Sequence, residues 1–192
     1  MMIKELVEKS RSYRSFKPDT EIDESVLLEL IDIGRKCPAA MNTQPLKYRI
    51  VNGGAERDEL FAITRWAGKL GIKLPPEGHE PAAYIVICHD KNIAAERPIF
   101  LYDIGIVTET IMLAAAERGL GGCIIGSATE EAMANVLGLQ ENIVPKLILA
   151  LGVPDEKVVL TEATDGDTSY YRDENGIHYS PKRLLEDLII KK

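Results

Sequence analysis

Cys37-Pro38-Ala39-Ala40-Met41-Asn42-Thr43-Gln44-Pro45 separates two different hydrophobic rhythms. Before it, Val26, Leu30 and Ile33 share one face of a helix. After it, residues 46–51 read as a strand. Pro38 disfavours helical geometry at the residue before it, so the helix is expected to stop near Lys36. Pro45 acts in the same way on Gln44 and is expected to open the extended run. Ala39 and Ala40 leave room for a flat ligand to approach the backbone. Asn42 and Gln44 each carry two donors and an acceptor, which suits the edge of a heterocycle. A plain connection does not need two amides and two prolines in this space, although the same composition also serves a rigid surface turn.

Toward the N-terminus, residues 2–9 read as a short helix, and residues 17–20 as a turn. The helix before the opening stretch begins at Asp23, a good N-cap, with Ile22 and Leu27 placed to close over it. Toward the C-terminus, a helix over 55–67 is followed by a loop over 68–81, rich in glycine and proline. Residues 82–88 form a continuous apolar run, expected as a buried strand. Residues 99–118 give the strongest helix, with Ile104, Val107, Ile111 and Ala114 or Ala115 at helical spacing and Gly119 closing it. Residues 120–125 and 147–151 read as buried strands. Between them, Ser127-x-x-Glu130 looks like a capping box for a short helix ending at Gly138. Residues 161–180 are polar, with interspersed tyrosines. Ser180-Pro181 then reads as the start of a last helix running to about Ile190.

The chain of 192 residues is expected to be one domain over 1–192. A formal charge of −7 argues against nucleic acid or an anionic membrane as partner. No apolar run reaches the ~18–20 residues of a membrane span, and the N-terminus has no signal-peptide pattern. Cys37, Cys88 and Cys123 form no C-x-x-C pair and read as reduced thiols of a cytoplasmic protein.

Two cationic stretches suit an anion. Arg11-Ser12-x-Arg14 places two guanidinium forks and a hydroxyl within four residues, a good phosphate clamp if it is not a solvated charge run. Lys182 and Arg183 fall in the first turn of the expected last helix, where cations oppose the helix dipole unless an anion sits between them. The glycines of Gly119-Leu120-Gly121-Gly122-Cys123-Ile124-Ile125-Gly126 follow a helix and have the wrong spacing for a dinucleotide fingerprint. His79, His89 and His178 have no metal-ligand spacing. Asp165-Gly166-Asp167 lacks the later glycine of a calcium loop. There is no G-x-S-x-G elbow and no phosphate-binding P-loop. Cys123, in an apolar run, reads as an inert buried thiol, and Trp66 and Tyr84 as packing.

Together these stretches resemble the nitroreductase family of FMN-dependent oxidoreductases. Pro38-Ala39-x-x-Asn42-x-Gln44-Pro45, ending a helix and entering a strand, is similar to that family's flavin-binding loop, which includes Ala40. Arg11-Ser12-x-Arg14 is similar to its Arg-Arg-Ser-x-Arg phosphate and ribityl site, with Ser10 in place of the first arginine. The glycine run is similar to Gly-Leu-Gly-x-x-x-x-Gly, whose flavin-facing amides fall on Ile125 and Gly126. Lys182-Arg183-Leu184 resembles its C-terminal phosphate signature, with Arg183 favoured over Lys182. These anchors keep the family's order over nearly the whole chain.

The resemblance implies an α+β fold: a central mixed, mainly antiparallel sheet flanked by helices, in an intertwined homodimer with FMN in two interface clefts. The alanine-rich face of 99–118 and the polar tail, as an arm 161–192 lying on the partner, agree with it. The implied reaction is ping-pong hydride transfer from NADH or NADPH to a nitroaromatic, quinone or similar small-molecule electron acceptor, beneath a lid near 64–80. It requires no side-chain acid or base. A reductive dehalogenase or oxidase-type flavoenzyme of the same fold, or a non-catalytic flavin-binding redox sensor, would carry the same anchors.

Overall fold

A computed structural model describes residues 2–191 of the chain. The apolar run at 82–88 becomes its central strand, β2 (Ala83–Asp90), buried at every position. A strand with one wet face would alternate; this one does not because both faces are covered. β2 pairs antiparallel with β1 (Leu46–Val51) and with β4 (Ile143–Gly152). β4 in turn pairs antiparallel with β3 (Gly121–Ile125), giving the order β1-β2-β4-β3.

The period-2 alternation of the strands divides the core in two. Ile85, Ile87, Leu149 and Leu151 face one side, with Leu27 and Leu30 of α2 (Glu24–Gly34) and Ile104, Val107 and Ile111 of α4 (Phe100–Glu117). Tyr84, Val86, Cys88, Ile148 and Ala150 face the other. There they meet Leu60 of α3 (Gly54–Ala62) and Met133 and Leu137 of α5 (Glu130–Leu137). α1 (Ile3–Lys9) lies against α4. A second sheet, β5-β7-β6, follows β4. In it β7 (His178–Lys182) runs parallel to β5 (Val158–Glu162) and antiparallel to the two-residue β6 (Tyr171–Arg172). The mixed character therefore resides in this sheet, since the four-stranded one is antiparallel throughout. The fold class is α+β as expected.

Several element expectations need correction. α3 ends at Ala62, not at residue 67. Thr64 turns its hydroxyl back onto the Phe61 carbonyl at 2.7 Å and receives the Trp66 indole N–H at 2.8 Å, which competes with a further helical turn. Ser127 does not cap α5. It bridges the backbone N–H and carbonyl of Arg65, and Thr129 is the N-cap, accepting from the Ala132 N–H at 3.2 Å.

The last helix does not begin at Pro181. Ser180 and Pro181 belong to β7, and only the single turn α6 (Leu185–Leu188) is helical. Pro181 lies opposite Thr161 of β5, while β6 reaches only Tyr179 and His178. One side of the strand is thus open where the proline lacks its N–H. Gln44 is not extended either. Its φ of 53° lies in the left-handed region, so Pro45 excludes the right-handed helix there without imposing a strand.

Candidate functional site

The segment after α1 is tied to the edge of the main sheet. Ser12 bridges Gly122 of β3, and the Tyr13 N–H donates to the Gly122 carbonyl at 2.9 Å. Phe16, fully buried, pins the end of the segment beside Pro154. Gly121 is required for this approach: a Cβ there would stand 2.5 Å from the Tyr13 ring and 2.5 Å from Pro154, while one at Gly122 would stand 2.1 Å from the Ala150 carbonyl oxygen of β4. The result is a rigid ledge that presents Arg11, Ser12 and Arg14 to one cavity of about 340 Å³. Lys182, at the end of β7, reaches the same cavity, as do Ile124, Tyr170 and His178.

Positive charge is concentrated here in a chain that is acidic overall. Among the described residues Glu109 is the one carboxylate on the cavity wall, against Arg11, Arg14 and Lys182. Arg14 is held from three directions. Its guanidinium donates to the Ser12 carbonyl at 3.1 Å, lies 3.4 Å from His178 Nε2, and sits over the Tyr170 ring at 5.4 Å from the centroid. Its backbone N–H donates to Glu156, which also pairs with Arg172 in a nearly dry setting. Arg11 donates from one terminal nitrogen to the Val7 carbonyl, while its Nε is buried without a partner. Burial, and then the charges of Arg14 and Arg172, push the His178 imidazole down to about 4. Fixed guanidinium forks around an open volume can bind a multiply charged oxyanion.

Arg183 lines an adjoining cavity of about 440 Å³ that shares Tyr170, Ser180 and Lys182 with the first. Lys182 lines both cavities, and Arg183 lines only the adjoining one. Neither stands in a helical first turn, so the dipole argument for them fails. Ile125 points into the core and is buried, whereas its neighbour Ile124 lines the clamp cavity. Gly126 follows β3 and is exposed. Burial raises the pKa of the Cys123 thiol, as an inert packing residue requires.

The opening stretch lies elsewhere. Pro38, Ala39 and Gln44 line a separate cavity of about 120 Å³ with Tyr48 and Asp103. Met41, Asn42 and Gln44 all have φ between 52° and 53°, three left-handed non-glycine residues in four. Such positions are strained and cluster at functional loops. Asn42 and Gln44 are exposed, with Gln44 Nε2 donating to Asn42 Oδ1 at 3.0 Å. Asp103 of α4 holds the loop from below, accepting the Ala40 N–H at 2.9 Å on Oδ1, while its Oδ2 is buried without a partner. The structure thus brings together Arg11, Ser12, Arg14 and Lys182, and leaves Pro38, Ala39, Ala40, Asn42 and Gln44 as a second group.

Two residues of these sites escape a reading of the sequence. His178 gives no signal in a polar stretch. Asp103 gives a faint one, as an acid on the Val107 and Ile111 face of an apolar helix. Among the described residues no cluster of His, Cys, Asp and Glu could hold a metal ion, and no helix is long and apolar enough to cross a membrane.

Comparison with known proteins gives a consistent result. A family model described as "Nitroreductase family" matches residues 7–153. A protein of Archaeoglobus fulgidus, provisionally named NADH dehydrogenase/NAD(P)H nitroreductase, is 29% identical over 160 residues, covering 81% of this chain and 87% of its own. A nitroreductase family protein from Streptococcus pneumoniae superposes with a TM-score of 0.73 at 19% identity, covering 100% of both chains. A Desulfovibrio desulfuricans structure, provisionally titled a nitroreductase in complex with FMN, has a TM-score of 0.73 at 18% identity, covering 100% of this chain and 97% of that one. At such identities the two structures carry the fold alone.

Proposed function

The chain belongs to the nitroreductase family, and on that premise we propose that it is an FMN-dependent oxidoreductase, using NADH or NADPH to reduce nitroaromatics, quinones or similar acceptors by a ping-pong route. The observation that carries this reading is the cationic cavity on the edge of β3. Its donors fit a phosphate ester: two guanidinium groups, an ammonium and a hydroxyl line one cavity, and the buried Arg11 Nε has no acceptor among the described residues. In this reading Arg11, Ser12, Arg14 and Lys182 hold the phosphate, with Arg183 at its outer side. The backbone at Ile125 and Gly126 meets the ring, where N–H groups stabilise negative charge. Bound there, flavin supplies hydride chemistry that no side chain of this protein can.

The amide loop completes the site from a second copy. Within one chain the loop and the clamp line separate cavities, which supports a ligand that touches both groups across two chains. We therefore read the protein as an intertwined homodimer of one 192-residue domain per copy, with the arm 161–192 lying on the partner. Exposed Leu185, Leu188, Ile189 and Ile190 at the end of that arm favour such a contact. Pro38, Ala39 and Ala40 would pack on the partner's flavin, and Asn42 and Gln44 would meet its polar edge. The unpaired cysteines favour a reducing, cytoplasmic setting.

Acid release of the ligand from purified protein, with chromatography of the extract and mass measurement of the native particle, tests this reading. Expected are FMN, about one per chain, and a particle of two chains. FAD, or a chain that takes up no flavin on reconstitution, would overturn it.

A further inference from the structure

Among the described residues the two sheets share no strand pair, yet both wall the clamp cavity. The ledge brings Arg11, Ser12 and Arg14, and the second sheet brings Val158 of β5 with His178 and Lys182 of β7. Glu156, two residues ahead of β5, stands where ledge and second sheet meet. Its side chain is only 4% exposed. One carboxylate oxygen accepts the Arg14 backbone N–H, and the other accepts from the Arg172 guanidinium of β6. On either side of Arg14 the ledge is fastened by main-chain bonds. The Tyr13 N–H donates to the Gly122 carbonyl at 2.9 Å, the Phe16 N–H to the His79 carbonyl at 3.1 Å, and the Lys17 N–H to the Val153 carbonyl at 2.8 Å. Between them, the Arg14 N–H goes to a side chain instead. The Arg14 guanidinium has the Ser12 carbonyl and the His178 and Tyr170 rings as its neighbours, on the wall of the cavity.

We propose that Glu156 is a positioning residue for the clamp: by holding the Arg14 N–H at the root of the second sheet, it fixes where the Arg14 guanidinium meets an anionic oxygen. This rests on the reading of the cavity as an FMN phosphate site. Glu156 acts through Arg14 and does not touch the ligand. It therefore sets affinity for the phosphate of FMN and not for its ring. A guanidinium fork binds an oxyanion in a narrow geometry, so a shift of the backbone that carries it weakens the bond. Arg172 has a different part. It supplies the opposite charge without which a carboxylate so deeply buried would be costly.

Glu156→Ala alone would leave the mostly buried Arg172 charge unmatched, so the comparison belongs in an Arg172→Met background. There Glu156→Gln keeps a carbonyl oxygen for the Arg14 N–H and Glu156→Ala removes it, while neither carries a charge. Both double variants and wild type are titrated with FMN, riboflavin and inorganic phosphate, and their amide exchange is followed. The glutamine variant should bind FMN within about threefold of wild type, and the alanine variant about tenfold more weakly than the glutamine one. Riboflavin binding should differ by less than about twofold between the two. The Arg14 N–H should be protected in wild type and in the glutamine variant, and should exchange in the alanine variant while the Tyr13 N–H stays protected. Equal FMN affinities in the two variants, or a riboflavin loss matching the FMN loss, would overturn the proposal. If the alanine variant does not fold, an unprotected Arg14 N–H in wild type, or a glutamine variant more than about tenfold weaker than wild type for FMN, would overturn it; a protected N–H with near-wild-type affinity would support it. Wild-type protein that binds no flavin would sink the parent reading, and the gap in inorganic-phosphate affinity between the two variants would still judge Glu156.

Discussion

Asp103 shows how a single carboxylate can govern a site it does not line up with in sequence. Ala40 sits in a loop where Met41, Asn42 and Gln44 hold left-handed backbone, each costing on the order of 1–3 kcal/mol unless the surroundings enforce it. The Ala40 N–H to Asp103 bond, from a buried rigid helix, is one such constraint. Asp103→Ala should therefore destabilise the protein by about 1.5–3 kcal/mol. It should also lose amide-exchange protection at Ala40 while β2 and β4 keep theirs. Asp103→Asn retains an acceptor for that N–H and replaces the oxygen that has no partner, so it should stay within about 1 kcal/mol of wild type. Urea titration and exchange spectra of both variants check this; an alanine variant with Ala40 still protected would contradict it. At this scale the sequence was partly legible. Arg11, Ser12, Arg14, Lys182 and the amides stand out by residue type. His178 and Asp103 do not, because their meaning comes from a guanidinium and a loop amide brought in by the fold.

At the level of elements, hydrophobic rhythm located β1, β2, β3 and α4 almost to the residue. In those elements burial on a defined face fixes both type and position. The misses fall where hydroxyl and proline chemistry competes with rhythm. Thr64 ends α3 early, Thr129 takes the cap from Ser127, and Pro181 enters the open side of β7 instead of starting a helix. β3 is the element that joins core to site, and its glycines are not equivalent. A Cβ at Gly122 would lie 2.1 Å from a backbone oxygen, whereas one at Gly126 would meet nothing closer than Leu147 Cδ1 at 3.8 Å. Gly122→Ala should lower stability by roughly 1–3 kcal/mol or more through forced backbone movement. Gly126→Ala should change it by less than about 0.5 kcal/mol. Urea midpoints of the pair decide the matter; equal values would show that β3 is not close-packed against β4 at Gly122.

For the whole molecule, one topological fact dominates: the clamp and the amide loop belong to one chain but to different cavities. The sequence announced both groups and their order, because each rests on short local motifs. It could not say that they part company, since that depends on how β1 and β3 are separated by β2 and β4 in the sheet. A flavin site drawing on both groups, as proposed above, would account together for the exposed amides, the cationic clamp and the apolar end of the chain. The decisive measurement is anaerobic mixing of the purified protein, loaded with FMN, with NADH and, separately, with NADPH, followed by a nitroaromatic. The visible flavin band should bleach with at least one nucleotide and return when the acceptor is added. A flavin that stays oxidised with both nucleotides would contradict an NAD(P)H-driven enzyme.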